Sequence, residues 1–189
     1  MKLQLRDYPR IAIFVGLIAG IGFLPAYYTA GATGLVPITT QSLAVMLAGA
    51  ILGSYRGALA VLIFEVLALA GLPILASTHL TGVGGIQAFT GPTVGYLFGW
   101  IIGAWTIGWI VEKLHSWNVA LSTAIASVVG GIVLVYIPGI LWYALSQGLP
   151  ILAVASGNLV FIPFDALKVV IAVVVVSALK AAYPKGLEN

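Results

Sequence analysis

Asp165 and Lys168 stand three residues apart inside an otherwise apolar run near the end of this 189-residue chain. At i, i+3 on a helix both side chains leave from one face, so they can neutralise each other. Charges within lipid are costly and usually face a cavity or a partner. The pair is therefore the first candidate for a binding site, with a self-satisfied ion pair that only fixes helix packing as the alternative. Glu65, the other carboxylate well inside an apolar run, leaves two readings open. It is either a functional group or a structural one that faces a pore or reaches Arg56.

Uncharged features accompany the pair. Residues 75–91, LASTHLTGVGGIQAFTG, form a long connection with glycines at 82, 84, 85 and 91. Long connections without structure of their own tend to be lids or binding elements, and glycine lets the backbone approach a ligand closely. A flexible connector would look the same. Tyr136, Gly139, Trp142 and Tyr143 could line a small-molecule cavity, although an interfacial aromatic belt accounts equally for Trp142 and Tyr143. Ala12, Gly16 and Gly20, four residues apart, make a smooth stripe against which another helix can pack closely. The stripe alone does not distinguish an internal neighbour from a separate chain.

The elements that must carry these residues follow from composition. Hydrophobic residues make up 61% of the chain and charged ones 7%, with a mean hydropathy of +1.15, whereas a soluble domain is about 25% charged. A membrane-spanning helix takes roughly 20 apolar residues, and such runs occur at 10–28, 37–53, 57–74, 92–111, 118–146 and 160–182. The expected fold is an all-α integral membrane protein, one six-helix bundle over residues 1–189. The fifth run is about 43 Å long if wholly helical and contains Pro138, which predicts a kink or tilt. Six spans place Lys2, Arg6, Arg10, Arg56, Lys113, Lys180 and Lys185 on one side, while the connections at 29–36, 75–91 and 147–159 carry no charged residue. Positive charge stays on the cytoplasmic side, so both termini are expected there. Lys168 is the exception among eight basic residues. Counting back from Lys180 at the helical rise puts Asp165 about 22 Å away, in the outer part of the bilayer. Pro163 suits a first helical turn there, and the helix start would add favourable potential for a carboxylate.

Several functions are disfavoured. The chain has no cysteine, which removes disulfides and thiolate chemistry. The basic residues are dispersed at span ends, which argues against nucleic acid. No second intramembrane aspartate completes a protease dyad, and neither His79 nor His115 is evidently beside a serine at membrane depth. These histidines are expected on opposite sides of the membrane, so no metal site is expected. With no G-x-x-x-x-G-K-[ST] loop, work done by nucleotide hydrolysis must come from another chain. The expected class is a transporter subunit and not an enzyme.

Five blocks in order resemble the BioY family, the biotin-specific S components of energy-coupling factor (ECF) transporters: VPITTQSLAVMLAGAILG at 36–53, LALAGLPILA at 67–76, GVGGIQAFTGPTVGYLFG at 82–99, YIPGILW at 136–142 and NLVFIPFDALK at 158–168. The resemblance implies six helices, an outward-opening pocket, biotin as ligand and no cofactor. It also implies assembly with a transmembrane coupling protein (T component) and two cytoplasmic ATPases in a prokaryotic cell membrane. Asp165 and Lys168 match the family's ligand-associated aspartate and lysine. A carboxylate can accept from ureido N–H groups, and an ammonium can donate to the ureido carbonyl or to the biotin carboxylate; both acceptors stay open for Lys168. Gly84, Gly85, Gln87, Tyr96, Tyr136 and Trp142 complete the expected ligand set, and Ala12, Gly16 and Gly20 are expected to face the coupling protein. Val94 and Phe164 depart from the family pattern, where glycine is usual, and predict an altered pocket floor or lid hinge. Leu97 and the loop are uncharged, leaving backbone N–H groups around Gly84 and Gly85, with Thr81 or Gln87, as candidates for the valerate carboxylate. The alternatives are a stand-alone vitamin carrier and a structural membrane subunit without ligand.

Overall fold

The computed structural model describes residues 3–24, 27–28, 37–82 and 84–183, and these are predominantly helical. Lys2, Lys185 and the connection at 29–36 lie outside the described residues. The first helix, α1 (Asp7–Ile21), is followed by a short antiparallel ribbon, β1 (Tyr27–Tyr28) with β2 (Pro37–Ile38), in which Tyr27 pairs with Ile38. The ends of the first two apolar runs are thus strand and not helix. Pro37, which has no N–H to offer a ladder, sits at the strand start where it is tolerated.

Two helices follow, α2 (Gln41–Leu52) and α3 (Ser54–Leu69). They are separate, as the sequence indicates, because Gly53 between them has φ +85, a conformation that favours glycine. Glu112 fixes the break by accepting from the Ser54 backbone N–H at 2.7 Å and from its hydroxyl. The third run stops at Leu69, short of the expected 74, where Gly71 turns the chain with φ +102. The 75–91 connection is not structureless. It holds two short helices, α4 (Ala76–Thr81) and α5 (Ile86–Thr90), joined through Gly82 and Gly85 at positive φ.

Helix α6 (Val94–Lys113) is central and packs against α2, α3 and the helices that follow. Gly95, Gly99 and Gly103 repeat every four residues along it. A Cβ on Gly95 would overlap the Pro138 carbonyl, one on Gly99 would lie 2.8 Å from Val135 Cα, and one on Gly103 would lie 2.5 Å from the Gly130 carbonyl. Backbone therefore meets backbone along this face. The partner strip is the fifth run: α7 (Val119–Val128), capped by Asn118 Oδ1, then a π-helical turn at Val129–Val133, then α8 (Leu134–Gln147). Pro138 is accommodated inside α8, one turn beyond the π-helical residues, and such irregularities gather at functional sites.

The last run also differs from expectation. Helix α9 (Ile151–Asn158) and a 3₁₀ turn (Leu159–Phe161) precede α10 (Ile162–Ala182), so most of the expected 147–159 connection is helical. Pro163 sits in the first turn of α10, as anticipated. The 3₁₀ turn and α9 continue upstream of it, so α10 has no open N-terminus. Among the described residues three segments are long and apolar enough to cross a bilayer, Val94–Lys113, Val119–Gln147 and Ile151–Ala182. Many large apolar side chains stay exposed, Leu145, Leu152 and Val174 among them, as lipid contact allows. Arg56 Nη1 donates to Asp7 Oδ1 at 2.9 Å, with both side chains buried. With the Ser54–Glu112 bonds, this gathers the start of α1, the start of α3 and the end of α6 at one end of the molecule.

Candidate ligand cavity

The charged pair forms as the spacing predicts. Lys168 Nζ lies 2.8 Å from Asp165 Oδ1, and both residues are buried. Helix geometry alone brings the two together, but two other elements complete the cluster. Tyr136 of α8 donates its hydroxyl to Asp165 Oδ2 at 2.5 Å, and Lys168 donates to Ser42 Oγ of α2 at 2.9 Å. Lys168 thus uses two of its three protons within the protein, and each carboxylate oxygen keeps lone-pair capacity. One N–H donor and acceptor sites on Asp165 stay available to a ligand.

These groups border a cavity of about 90 Å³ whose walls come from Thr39, Trp100, Gly131, Phe161, Tyr96 and Asn158 besides the cluster itself. One water needs only about 10–15 Å³ on this measure, so the space holds several. Tyr96 is placed by Gly139, where a Cβ would overlap the Tyr96 ring. Its hydroxyl donates to Asn158 Oδ1 at 2.7 Å, while Asn158 Nδ2 donates to the Val154 carbonyl at 2.8 Å. A second cavity of about 70 Å³ shares Thr39, Tyr96 and Trp100 as a common wall and is bounded on its other side by Leu75, Ser77, Thr93 and Leu97, with Gln41.

Of the residues expected to bind ligand, Asp165, Lys168, Tyr96 and Tyr136 meet at the first cavity. Gly84, Gly85, Gln87 and Trp142 do not line either one. Gly84 faces Thr78, and Gly85 packs on Gly71 and the Leu69 carbonyl, so these glycines build the α4–α5 turn. Gln87 is exposed, and the Trp142 indole is half-exposed and donates to the Gly91 carbonyl at 3.1 Å. Tyr143 is buried against Ala144 and Val154 instead of facing the cavity. Val94 and Phe164 also lie off the walls: Val94 is buried in packing and Phe164 is exposed. Neither residue therefore shapes the floor of either cavity.

Sequence reasoning missed Ser42, Thr39, Asn158 and Trp100. Ser42 and Asn158 were detectable as polar residues inside conspicuous apolar blocks, the same signal that exposes Asp165. Gln41 was missed too. Fully buried, it donates through Nε2 to the Ile18 and Ile74 carbonyls at 3.1 and 2.8 Å and accepts from Ala76 N–H at 2.8 Å, tying α1 and the segment before α4 to α2. Glu65 is buried with its Oε1 lacking a hydrogen-bond partner among the described residues. Arg56, which it was considered to reach, pairs with Asp7. Ala12, Gly16 and Gly20 are all exposed, and a Cβ on either glycine would meet open space. Among the described residues nothing packs on the stripe at Gly16 or Gly20.

Known proteins resemble this chain in sequence and in fold. The BioY family model covers residues 1–185. Similar relatives include the biotin transporter BioY of Rhodobacter capsulatus, 43% identical over 96% of this chain and 97% of the relative, and that of Rhizobium etli, 39% identical over the same shares. A crystal structure of the S component for biotin from an ECF-type ABC transporter superposes with a TM-score of 0.82 at 31% identity, covering 94% of this chain and 92% of that one. The chain belongs to the BioY family.

Proposed function

We propose that this protein is the biotin-binding S component of an ECF-type transporter. Six helical segments cross the membrane, both termini are cytoplasmic, and the cavity opens outward. The observation that carries the reading is the cluster of Asp165, Lys168 and Tyr136 at the head of an aromatic-walled cavity. Biotin's ureido group has two N–H donors and one carbonyl acceptor, which complement the free acceptor sites of Asp165 and the remaining N–H of Lys168. Trp100, Tyr96 and Phe161 supply flat apolar walls for its fused rings. Gly84, Gly85, Gln87 and Trp142 serve the cover over the cavity and not its floor. The end of the molecule gathered by the Asp7–Arg56 and Ser54–Glu112 contacts also carries Arg6, Arg10 and Lys113 with Arg56, and this concentration of basic residues supports its cytoplasmic placement. Ala12, Gly16 and Gly20 form the contact face for a coupling protein, and two ATPases provide the energy. Titrating the purified protein with biotin, followed by tryptophan emission and calorimetry, is expected to give saturable one-site binding. No saturation would reject the reading.

A further inference from the structure

We propose that the second cavity receives the tail of the bound ligand without reading its charge, so that this protein binds neutral tail derivatives of biotin about as well as the free acid. The inference rests on biotin being the ligand and concerns how it is oriented and selected. Thr39, Tyr96 and Trp100 line both cavities, so the two are adjacent, and in the proposed pose an elongated ligand reaches past these side chains from the first into the second. Their chemistry differs. The first holds a cation and an anion 2.8 Å apart, whereas the second is bounded by hydroxyls and apolar groups, among them Thr39, Thr93 and Leu97. Gln41 contributes no N–H donor there, because both of its amide protons go to backbone carbonyls.

Among the described residues no Lys or Arg lines the second cavity. Arg6, Arg10, Arg56, Lys113 and Lys180 belong to the opposite end of the helices, Lys2 and Lys185 to the terminal segments, and the sequence between 57 and 112 contains neither residue type. The reversed orientation would set the tail carboxylate against Lys168. That cation is already neutralised by Asp165, and a second carboxylate there would place like charges side by side. Among the described residues a carboxylate in the second cavity finds hydroxyls but no counter-charge, so converting it to an amide removes little favourable interaction.

The test compares biotin with biotinamide and biotin methyl ester on the purified full chain at pH 8. Both neutral derivatives are expected to bind no more than about threefold more weakly than biotin, since a carboxylate without a counter-charge gains little in the cavity. Saturable biotin binding with a loss of tenfold or more for both derivatives would overturn the inference and leave biotin binding intact. Absence of biotin binding would remove both. In a Thr93→Lys variant biotin is expected to gain at least threefold over the amide, and an unchanged ratio would show that the tail does not lie there. The wild-type ratio decides the matter if that variant does not fold.

Discussion

Two helices of this protein carry the same small-residue spacing and use it in opposite ways. On α6, Gly95, Gly99 and Gly103 are pressed against the backbone of residues 130–138, with no room for a single methyl group. On α1, Gly16 and Gly20 face open space. A four-residue repeat of small side chains therefore states only that close approach is possible. Whether the approaching helix belongs to the same chain is decided by the rest of the fold, here by the position of α6 at the centre and α1 at the edge.

The sharpest test of this contrast is on α6. Gly99→Leu is expected to abolish recovery of folded, monodisperse protein, because its Cβ would lie 2.8 Å from Val135 Cα and backbone cannot move aside. Gly99→Ala should lose about 1–3 kcal/mol in thermal denaturation in detergent; a melt like wild type would show that α6 and α8 are not as tightly joined as described. Next in size is the cavity that this packing builds. Asp165→Asn removes one partner of a buried charge pair, so a loss of about 2–5 kcal/mol in biotin binding is expected, roughly thirtyfold or more by calorimetry. Unchanged affinity would take Asp165 out of the site.

A smaller effect is expected where α1 is held to the body. The Gln4 backbone N–H, then the Arg56 guanidinium beside it, keep the Asp7 carboxyl below its ordinary value of 3.8. A lowered folded pKa contributes stability that is complete above the ordinary value and fades as pH falls through the folded one. Asp7→Asn should therefore melt below wild type at pH 7, with the gap closing under pH 3.8. Parallel melting curves would mean that the carboxylate does not anchor α1. The least effect on the isolated protein belongs to Gly16→Leu, which should change its melt by no more than about 0.5 kcal/mol and leave biotin affinity intact while abolishing co-purification with the coupling protein. Loss of stability as well would place the stripe inside the fold after all.

The long apolar runs and the Asp165–Lys168 pair are legible in the sequence because both rest on local spacing. The break at Gly53 is legible too, since merging two runs spoils the charge alternation. Ser42 and Asn158 are harder to assign, because their partners are 126 and 62 residues away and no local rule joins them. The 75–91 and 147–159 connections hold more helix than their sequences suggest. Polar and glycine-rich composition conceals the short helices α4 and α5, and Pro163 suggests a helix start where a helical path already exists. Trp142 illustrates a further limit: it shares a segment with Tyr136 but lies on another side of α8, bonded to the Gly91 carbonyl.

The three hydrogen bonds of Gln41 have a mechanical meaning. They clamp α1 through the Ile18 carbonyl near one end, while the Asp7–Arg56 pair clamps it at the other. A rod pinned at both ends keeps its outer face in one shape, so a chain docking along Ala12, Gly16 and Gly20 would meet a rail already set and lose little conformational freedom in seating on it.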